Sequence, residues 1–249
     1  MDITKEAIEK IESLVKSAEG MDVVINQRHW STRDLKPVIF DPQPDTLEIS
    51  SLTGFVDYIK SNRDGIALDN TVAIIKSYRK VDLASAFGGE RLRRSWYISA
   101  QVDEGLKVYP FEKYMEIESF IIALRSMFEP TDDIEKLIAY VSKVRGGKAF
   151  TLDDDGVSQT ASVQSGVSGA LTKKETAPAI VRLRPFRTFR DIAQVESEFL
   201  FRMKLIDTES STVGCALFEA DGGRWRNQAV MYIREYLTKQ LGDTVAIIA

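Results

Sequence analysis

Hydrophobic positions at the start of the chain recur at the spacing of an amphipathic helix. Apolar residues from position 3 to position 15 share one side, charged residues occupy the other, and the pattern stops at Gly20. Residues 29–45 then contain three prolines among acidic residues, which favours an extended connection. The pattern predicts a first segment, residues 1–45, made of one helix and a Pro-containing connection.

The pattern over residues 46–148 mixes strand and helix periods. Leu47 and Ile49 alternate with polar residues, and Ser51 is placed to cap a helix that follows. Strands are predicted at 65–68 and 71–78 around an Asp69-Asn70 turn, and at 95–102 and 106–109 around a second turn. Two helices, near 117–124 and 134–144, are separated by Pro130. These features predict an α+β lobe that contains a helix pair.

The last hundred residues, 149–249, are richer in strand signals. Residues 149–172 are rich in Ser, Gly, Thr and Val with period-two stretches, which predicts twisted strands, with a disordered linker as the alternative. Turns are expected at 153–156 and near Gly166. Further strands are predicted at 180–183, 199–205, 214–218 and 244–248, with a helix over 225–241.

The predicted fold class is α+β, with mainly antiparallel sheets, an N-terminal amphipathic helix, a central helix pair and a C-terminal helix. Three segments follow from the pattern: 1–45, the α+β lobe 46–148 and a β-rich lobe 149–249. A single domain over 46–249 is the open alternative.

Composition limits the classes of function. The 249 residues are 44% hydrophobic and 28% charged, which is typical of a globular protein with a packed core, and the net charge of -4 offers no global attraction to nucleic acid or anionic lipid. Any site for an anion must therefore be local. A single cysteine suits a reducing cytoplasm, and no apolar run approaches the roughly 20 residues of a membrane span, so no membrane partner is predicted.

Metal and nucleophile chemistry has few candidate residues. The one histidine, His29, and the one cysteine, Cys215, are too few for a zinc site, and Cys215 is better explained as a small apolar strand residue than as a nucleophile. Asp153, Asp154 and Asp155 would offer oxygen ligands to a divalent cation, but a solvated turn is the preferred interpretation. The glycine pairs lack the context of a phosphate-binding loop. No cofactor is predicted.

A segment with alternating arginine and phenylalanine is the most unusual feature. Guanidinium groups beside aromatic rings are typical of single-stranded nucleic-acid platforms, although a half-buried strand or a subunit interface gives the same pattern. Arg187 and Phe189 have the opposite strand parity to the other members, so an ideal strand cannot present all of them on one face. The candidate contacts are Arg182, Arg184, Phe186, Arg187, Phe189 and Arg190.

A second motif follows the predicted strand 214–218. Here a turn is expected to reverse the chain before a helix whose apolar face begins with a tryptophan. Its charged residues would act as catalytic carboxylates with anion clamps in an enzyme, but a charged network that fixes the turn is the preferred interpretation. The motif residues are Glu219, Asp221, Gly222, Gly223, Arg224 and Trp225.

The order of several motifs resembles the uncharacterised YfdQ-like proteins of tailed bacteriophages and prophages. The similarity is carried by VRLRPFRTF at 181–189, SEFLFRMK at 197–204 and ALFEADGGRWR at 216–226, with LTGFVDYI at 52–59 and GVSQTASVQSGV at 156–167 upstream. It covers most of the chain from about Trp30 onward. The resemblance implies a phage accessory protein outside the virion, in the bacterial host cytoplasm, and it implies no catalytic residues.

Three hypotheses from different classes follow. The first is a non-catalytic phage or prophage accessory protein that assembles into a homo-oligomer, and the alternative is a single-stranded nucleic-acid-binding or recombination accessory protein. The third is an enzyme that uses Glu219, Asp221 and Arg224. The first leads because the residue pattern contains no clear catalytic constellation and the chain is acidic.

Overall fold

The computed structural model describes residues 4–19, 22–31, 45–89, 92–145, 150–154, 159–165, 171–207 and 212–249. The chain divides into two compact units, the first comprising Met1–Pro44 with Gly89–Arg93 and the second Asp45–Gly88 with Arg94–Ala249. The second unit therefore spans both segments that the pattern divides near residue 148.

The first unit contains a helix and a short antiparallel hairpin. Helix α1 covers Lys5–Glu19, and strands β1 (Asp22–Ile25) and β2 (Arg28–Ser31) pair with each other. The predicted N-terminal amphipathic helix is thus present.

The second unit contains the remaining elements of the described residues. In chain order they are β3 (Leu47–Ile49), α2 (Leu52–Ser61), β4 (Thr71–Ser77), β5 (Lys80–Ser85), β6 (Trp96–Gln101), β7 (Met115–Glu116), α3 (Ile117–Met127) and α4 (Asp132–Arg145). They continue with β8 (Phe150–Asp154), β9 (Gln159–Ser165), β10 (Leu171–Thr176), β11 (Ile180–Leu183), β12 (Ser197–Asp207), β13 (Thr212–Glu219), α5 (Trp225–Leu241) and β14 (Ala246–Ile248).

A five-stranded sheet with the order β14-β4-β5-β6-β3 carries helices α2 and α5. Helix α2 starts where the sequence predicts, because the Ser51 side chain accepts a hydrogen bond from the Gly54 backbone N–H at 3.1 Å. Its buried face, including Phe55, packs in one core with Leu83 of the sheet and Ile233 of α5. The central pairs, β4–β5 and β5–β6, are antiparallel. Each edge strand is parallel to its neighbour, β14 to β4 and β3 to β6.

A four-stranded antiparallel sheet with the order β11-β12-β13-β7 carries the helix pair α3 and α4. Alternate residues of its strands, including Phe199, Phe201 and Leu217, are buried against Phe120 of α3 and Leu137 of α4. This alternation is the period-two pattern of a sheet that is covered on one face. Strands β8, β9 and β10 form a separate antiparallel sheet with β9 in the centre.

The α+β class is confirmed, as is each of the predicted helices, but parts of the strand prediction are wrong. Residues 65–68 and 106–109 form no strand, and Leu68–Asn70 forms a 3₁₀ turn instead of a hairpin turn. The hairpin bends one strand later, at Tyr78 and Arg79, where β4 turns into the unpredicted β5. The expected turn near Gly166 and part of the one at 153–156 lie outside the described residues.

Candidate functional site

The turn after β13 leads directly into helix α5. The Asp221 carboxylate accepts a hydrogen bond from the Gly223 backbone N–H at 2.9 Å. Gly222 and Gly223 have φ angles of 63° and 79°, a left-handed conformation that glycine adopts with little strain. Trp225 begins the helix and is buried, while Arg224 before it is exposed. The chain reversal predicted for this motif is therefore present.

The guanidinium of Arg187 lies in the interior of the second unit with only 4% of the residue exposed. It donates hydrogen bonds to Glu219 and to the Ser197 hydroxyl, each at 2.6 Å, and lies 3.8 Å from the centre of the Trp225 ring. Burial lowers the pKa of Arg187 to about 10 although Glu219 acts in the opposite direction, so the side chain stays charged at neutral pH. Glu219 is thereby engaged in a structural ion pair.

Residues between β11 and β12 form an irregular segment that is tied together by the buried side chain of Gln194. Its amide oxygen accepts hydrogen bonds from the backbone N–H groups of Arg187 and Thr188, at 3.0 and 3.3 Å. Its amide nitrogen donates to the carbonyls of Phe189 and Ile192. Side chains of a single short segment thus reach both cores, because Phe189 packs with α2 and α5 while Arg187 lies near Phe199 of the other core.

The six candidate contacts of this segment do not form one exposed set. Arg187 and Phe189 are buried and present no surface to a partner or to nucleic acid in this structure, which agrees with the alternative interpretation of a half-buried segment. These two residues differ in strand parity from the other four candidates, and they are the two whose side chains point into the interior. The other four remain at least partly exposed, but each has a neighbour: Arg182 pairs with Glu198 and Arg184 with Glu196, both at 3.1 Å, and Arg190 lies over the Phe186 ring.

Asp191 occupies the N-terminus of helix α2, from a position 138 residues away in sequence. Its carboxylate accepts hydrogen bonds from the backbone N–H groups of Leu52 and Thr53, at 3.1 and 2.9 Å, and from the Thr53 hydroxyl at 2.6 Å. Burial alone would raise the pKa of Asp191, but these hydrogen bonds outweigh it and the pKa is lowered. The Asp191 carboxylate thus occupies the positive N-terminal end of α2. This end of the helix is therefore not available to bind an anion in the adjacent cleft of about 540 Å³, which Asp191 also lines.

The candidate nucleophile Cys215 lies on β13 in the core. It is completely buried, and burial raises the pKa of its thiol to about 12, so the reactive thiolate is suppressed at neutral pH. Among the residues that the structure describes, no group of three or more His, Cys, Asp or Glu side chains is arranged to hold a metal ion. Asp153 and Asp154 lie at the end of β8, and Asp155 lies outside the described residues.

The face of the four-stranded sheet that lies opposite α3 and α4 presents a different set of side chains. This outer face consists of the residues that point away from α3 and α4, together with Tyr114, which immediately precedes β7, and two of its small residues, Gly214 and Ala216, are themselves buried. Its members are Tyr114, Glu116, Ile180, Arg182, Glu198, Leu200, Arg202, Lys204, Gly214, Ala216 and Phe218.

Two aromatic rings and two cations lie close together on this outer face. The rings of Tyr114 and Phe218 have centres 6.0 Å apart, and the Lys204 ammonium lies 4.1 Å from the centre of the Tyr114 ring. A Cβ atom at Gly214 would collide with Ile206 and crowd Tyr114, so glycine allows these two side chains to lie close to the backbone of β13. The alternation along β12 carries a sequence signal for Arg202 and Lys204, but nothing local indicates that Tyr114 lies beside them.

No family model, curated protein or solved structure matches this chain in comparisons with known proteins. The resemblance to YfdQ-like phage proteins therefore remains a prediction. None of the helices within the described ranges combines the length and the apolar composition that crossing a bilayer requires.

Proposed function

We propose that the protein is a non-catalytic accessory protein that assembles into a homo-oligomer through helix α1. The observation that carries the proposal is the apolar side of this helix, where Ile8, Ile11 and Val15 are 47–56% exposed. The phage or prophage setting and the host cytoplasm rest on the motif resemblance alone.

Helix α1 has the composition of a helix that is stabilised by a partner. Its other side is highly charged and includes the i,i+4 ion pairs Lys5–Glu9 and Lys16–Glu12, at 3.8 and 2.7 Å. Such pairs contribute only about 0.3–0.5 kcal/mol each. Since an isolated helix of about 12–15 residues is marginal in water, burial of the apolar side supplies the missing stabilisation.

A second copy of α1 fits the apolar side by its spacing. Ala7, Ile11 and Leu14 follow the alternating three- and four-residue steps of a coiled-coil seam. A β-branched residue at Ile11 with leucine at Leu14 is the combination that favours pairing of parallel helices. The spacing therefore supports association between copies of this chain.

The non-catalytic part of the proposal is supported by the engagement of the candidate catalytic groups. Glu219 is bound to Arg187 and Asp221 to the backbone of its own turn. The Cys215 thiol is buried with a raised pKa. Each of these groups has a structural explanation within the fold.

Size-exclusion chromatography with light scattering tests the proposal. The wild-type chain should have a mass that is a multiple of 28.0 kDa, and Ile11→Asp should reduce it to the monomer because a charge in the seam is costly to bury. Ser13→Asp, on an exposed position of the same helix, is the matched control and should leave the oligomer intact. A wild-type monomer at micromolar concentration contradicts the proposal, and absorbance at 260 nm in the same run reports copurifying nucleic acid.

A further inference from the structure

We propose that the outer face of the four-stranded sheet binds single-stranded nucleic acid. Bases stack on Phe218 and Tyr114, and phosphates contact Arg202 and Lys204. This site is distinct from helix α1, and it replaces the predicted contact set around Arg187.

The aromatic part of the site lies at the centre of the sheet. Ile180, Leu200 and Phe218 are directly opposite one another on three adjacent strands and form an apolar row. The partly exposed Phe218 ring ends this row, and the Tyr114 ring meets it at an interplanar angle of 65°. Exposed rings on a sheet stack with unpaired bases of any sequence, because every base has an aromatic face.

The cationic part of the site adjoins the aromatic part along β12. Arg202 and Lys204 follow Leu200 on the same face at two-residue spacing, and neither forms an ion pair within the described residues. In contrast, Arg182 on this face is paired with Glu198 at 3.1 Å. Arg202 and Lys204 outnumber Glu116, the other carboxylate among the outer-face residues besides the paired Glu198, and so leave a local positive surplus in a chain whose net charge is -4.

This combination favours a single strand over other occupants. An apolar surface from another protein would bury two cations that have no anionic partner, which is costly, whereas phosphates would neutralise them. A duplex keeps its base faces stacked inside the helix, so they cannot reach the two rings. Four strands about 4.8 Å apart make a platform roughly 15–20 Å wide, which suits a site of about four or more nucleotides.

Fluorescence anisotropy with labelled oligothymidylate of about 20 nucleotides, at about 50 mM salt where electrostatic binding is favoured, tests the site. Oligouridylate and a DNA duplex are run in parallel, so that DNA, RNA and double-stranded preference are separated. The wild-type protein should bind at least one single strand more tightly than the duplex. Phe218→Ala should weaken binding about 5- to 150-fold, the range for one base stacked on one ring.

The cations are tested with the double variant R202Q/K204Q. It should weaken binding and reduce the slope of log affinity against log salt by about 1.4, since each lost phosphate contact on a single strand contributes about 0.7. The matched control is R234Q/K239Q, which removes the same charge from exposed positions of helix α5 and should leave binding unchanged.

Circular dichroism shows whether each variant is folded. If Phe218→Ala does not fold, the comparison of R202Q/K204Q with the wild-type protein tests the proposal on its own. Absence of binding by the wild-type protein, a preference for the duplex, or equal loss in R202Q/K204Q and R234Q/K239Q overturns the proposal.

Discussion

Removal of the carboxylate that faces Arg187 is expected to be among the most damaging changes of one polar side chain in the fold. Glu219→Ala would leave a guanidinium in a residue that is 4% exposed without its anionic partner at 2.6 Å. In the wild-type protein burial lowers the pKa of Arg187 to about 10 while Glu219 acts to raise it, so the guanidinium is charged at neutral pH and its charge is stabilised by the carboxylate that the change removes. Breaking a buried ion pair from one side costs about 3–5 kcal/mol of unfolding free energy.

The reverse change should cost less. Arg187→Met keeps a long apolar side chain beside Trp225 and leaves a carboxylate, Glu219, whose side chain is 25% exposed and accessible to water. We expect a loss of about 1–3 kcal/mol from the hydrogen bonds to Glu219 and Ser197. In the double variant the two losses should not add, because neither charge is then left alone.

Urea unfolding followed by tryptophan fluorescence and by circular dichroism measures these differences, and the two curves must coincide for a free energy to be assigned. Glu198→Ala is the matched control, since it removes the partner of the exposed Arg182 from the same sheet and should cost about 0–1 kcal/mol. If Glu219→Ala costs no more than Glu198→Ala, or if the two single losses simply add, the assignment of Arg187 as a buried, charged anchor is refuted.

Three further predictions concern other positions of the fold. Because the pKa of Asp191 is lowered in the folded protein, the stabilisation from its carboxylate is complete above the ordinary pKa of 3.8 and is lost as the pH falls below that value. Asp191→Asn should therefore unfold more easily at pH 7, and its stability should fall less steeply between neutral and acidic pH. An unchanged dependence of stability on acidic pH would contradict this. Ser51→Ala removes the cap of α2 and should cost about 0.5–2 kcal/mol in thermal unfolding, with Ser61→Ala at the far end of the helix as a milder comparison. The Cys215 thiol should resist a disulfide reagent at pH 8 in the folded protein and react fully in denaturant, whereas rapid labelling of the folded protein would show that it is accessible.

The sequence alone determined the elements whose signals are local. Helix α2 is defined by a capping serine and four apolar positions on one side, and α5 by the glycine turn before Trp225 and a regular apolar stripe. The alternation in β12 separates Phe199, Phe201 and Met203 from Leu200, Arg202 and Lys204 without any knowledge of their neighbours. These features depend on contacts within a few residues, which sequence periodicity reports directly.

Only the tertiary structure decided which elements meet. The Asp69-Asn70 pair is a good local turn signal, yet the hairpin forms at Tyr78 and Arg79, where the partner strand β5 pairs with both β4 and β6. The parallel pairs β3–β6 and β14–β4 likewise join segments that are distant in the chain. Strand periodicity does not distinguish parallel from antiparallel partners.

The position of Arg187 has the same cause. Its surroundings are polar and aromatic only because Ser197, Glu219 and Trp225, from 10 to 38 residues later in the chain, converge on it. A buried charge is tolerated where its partners are in place, and that condition is set by the packing of two sheets and not by the residues on either side. For the same reason the sequence pattern predicts an exposed basic segment around Arg187, whereas in the structure Arg187 is buried. Arg202 and Lys204 lie on the outer face of the sheet instead, with Lys204 against Tyr114.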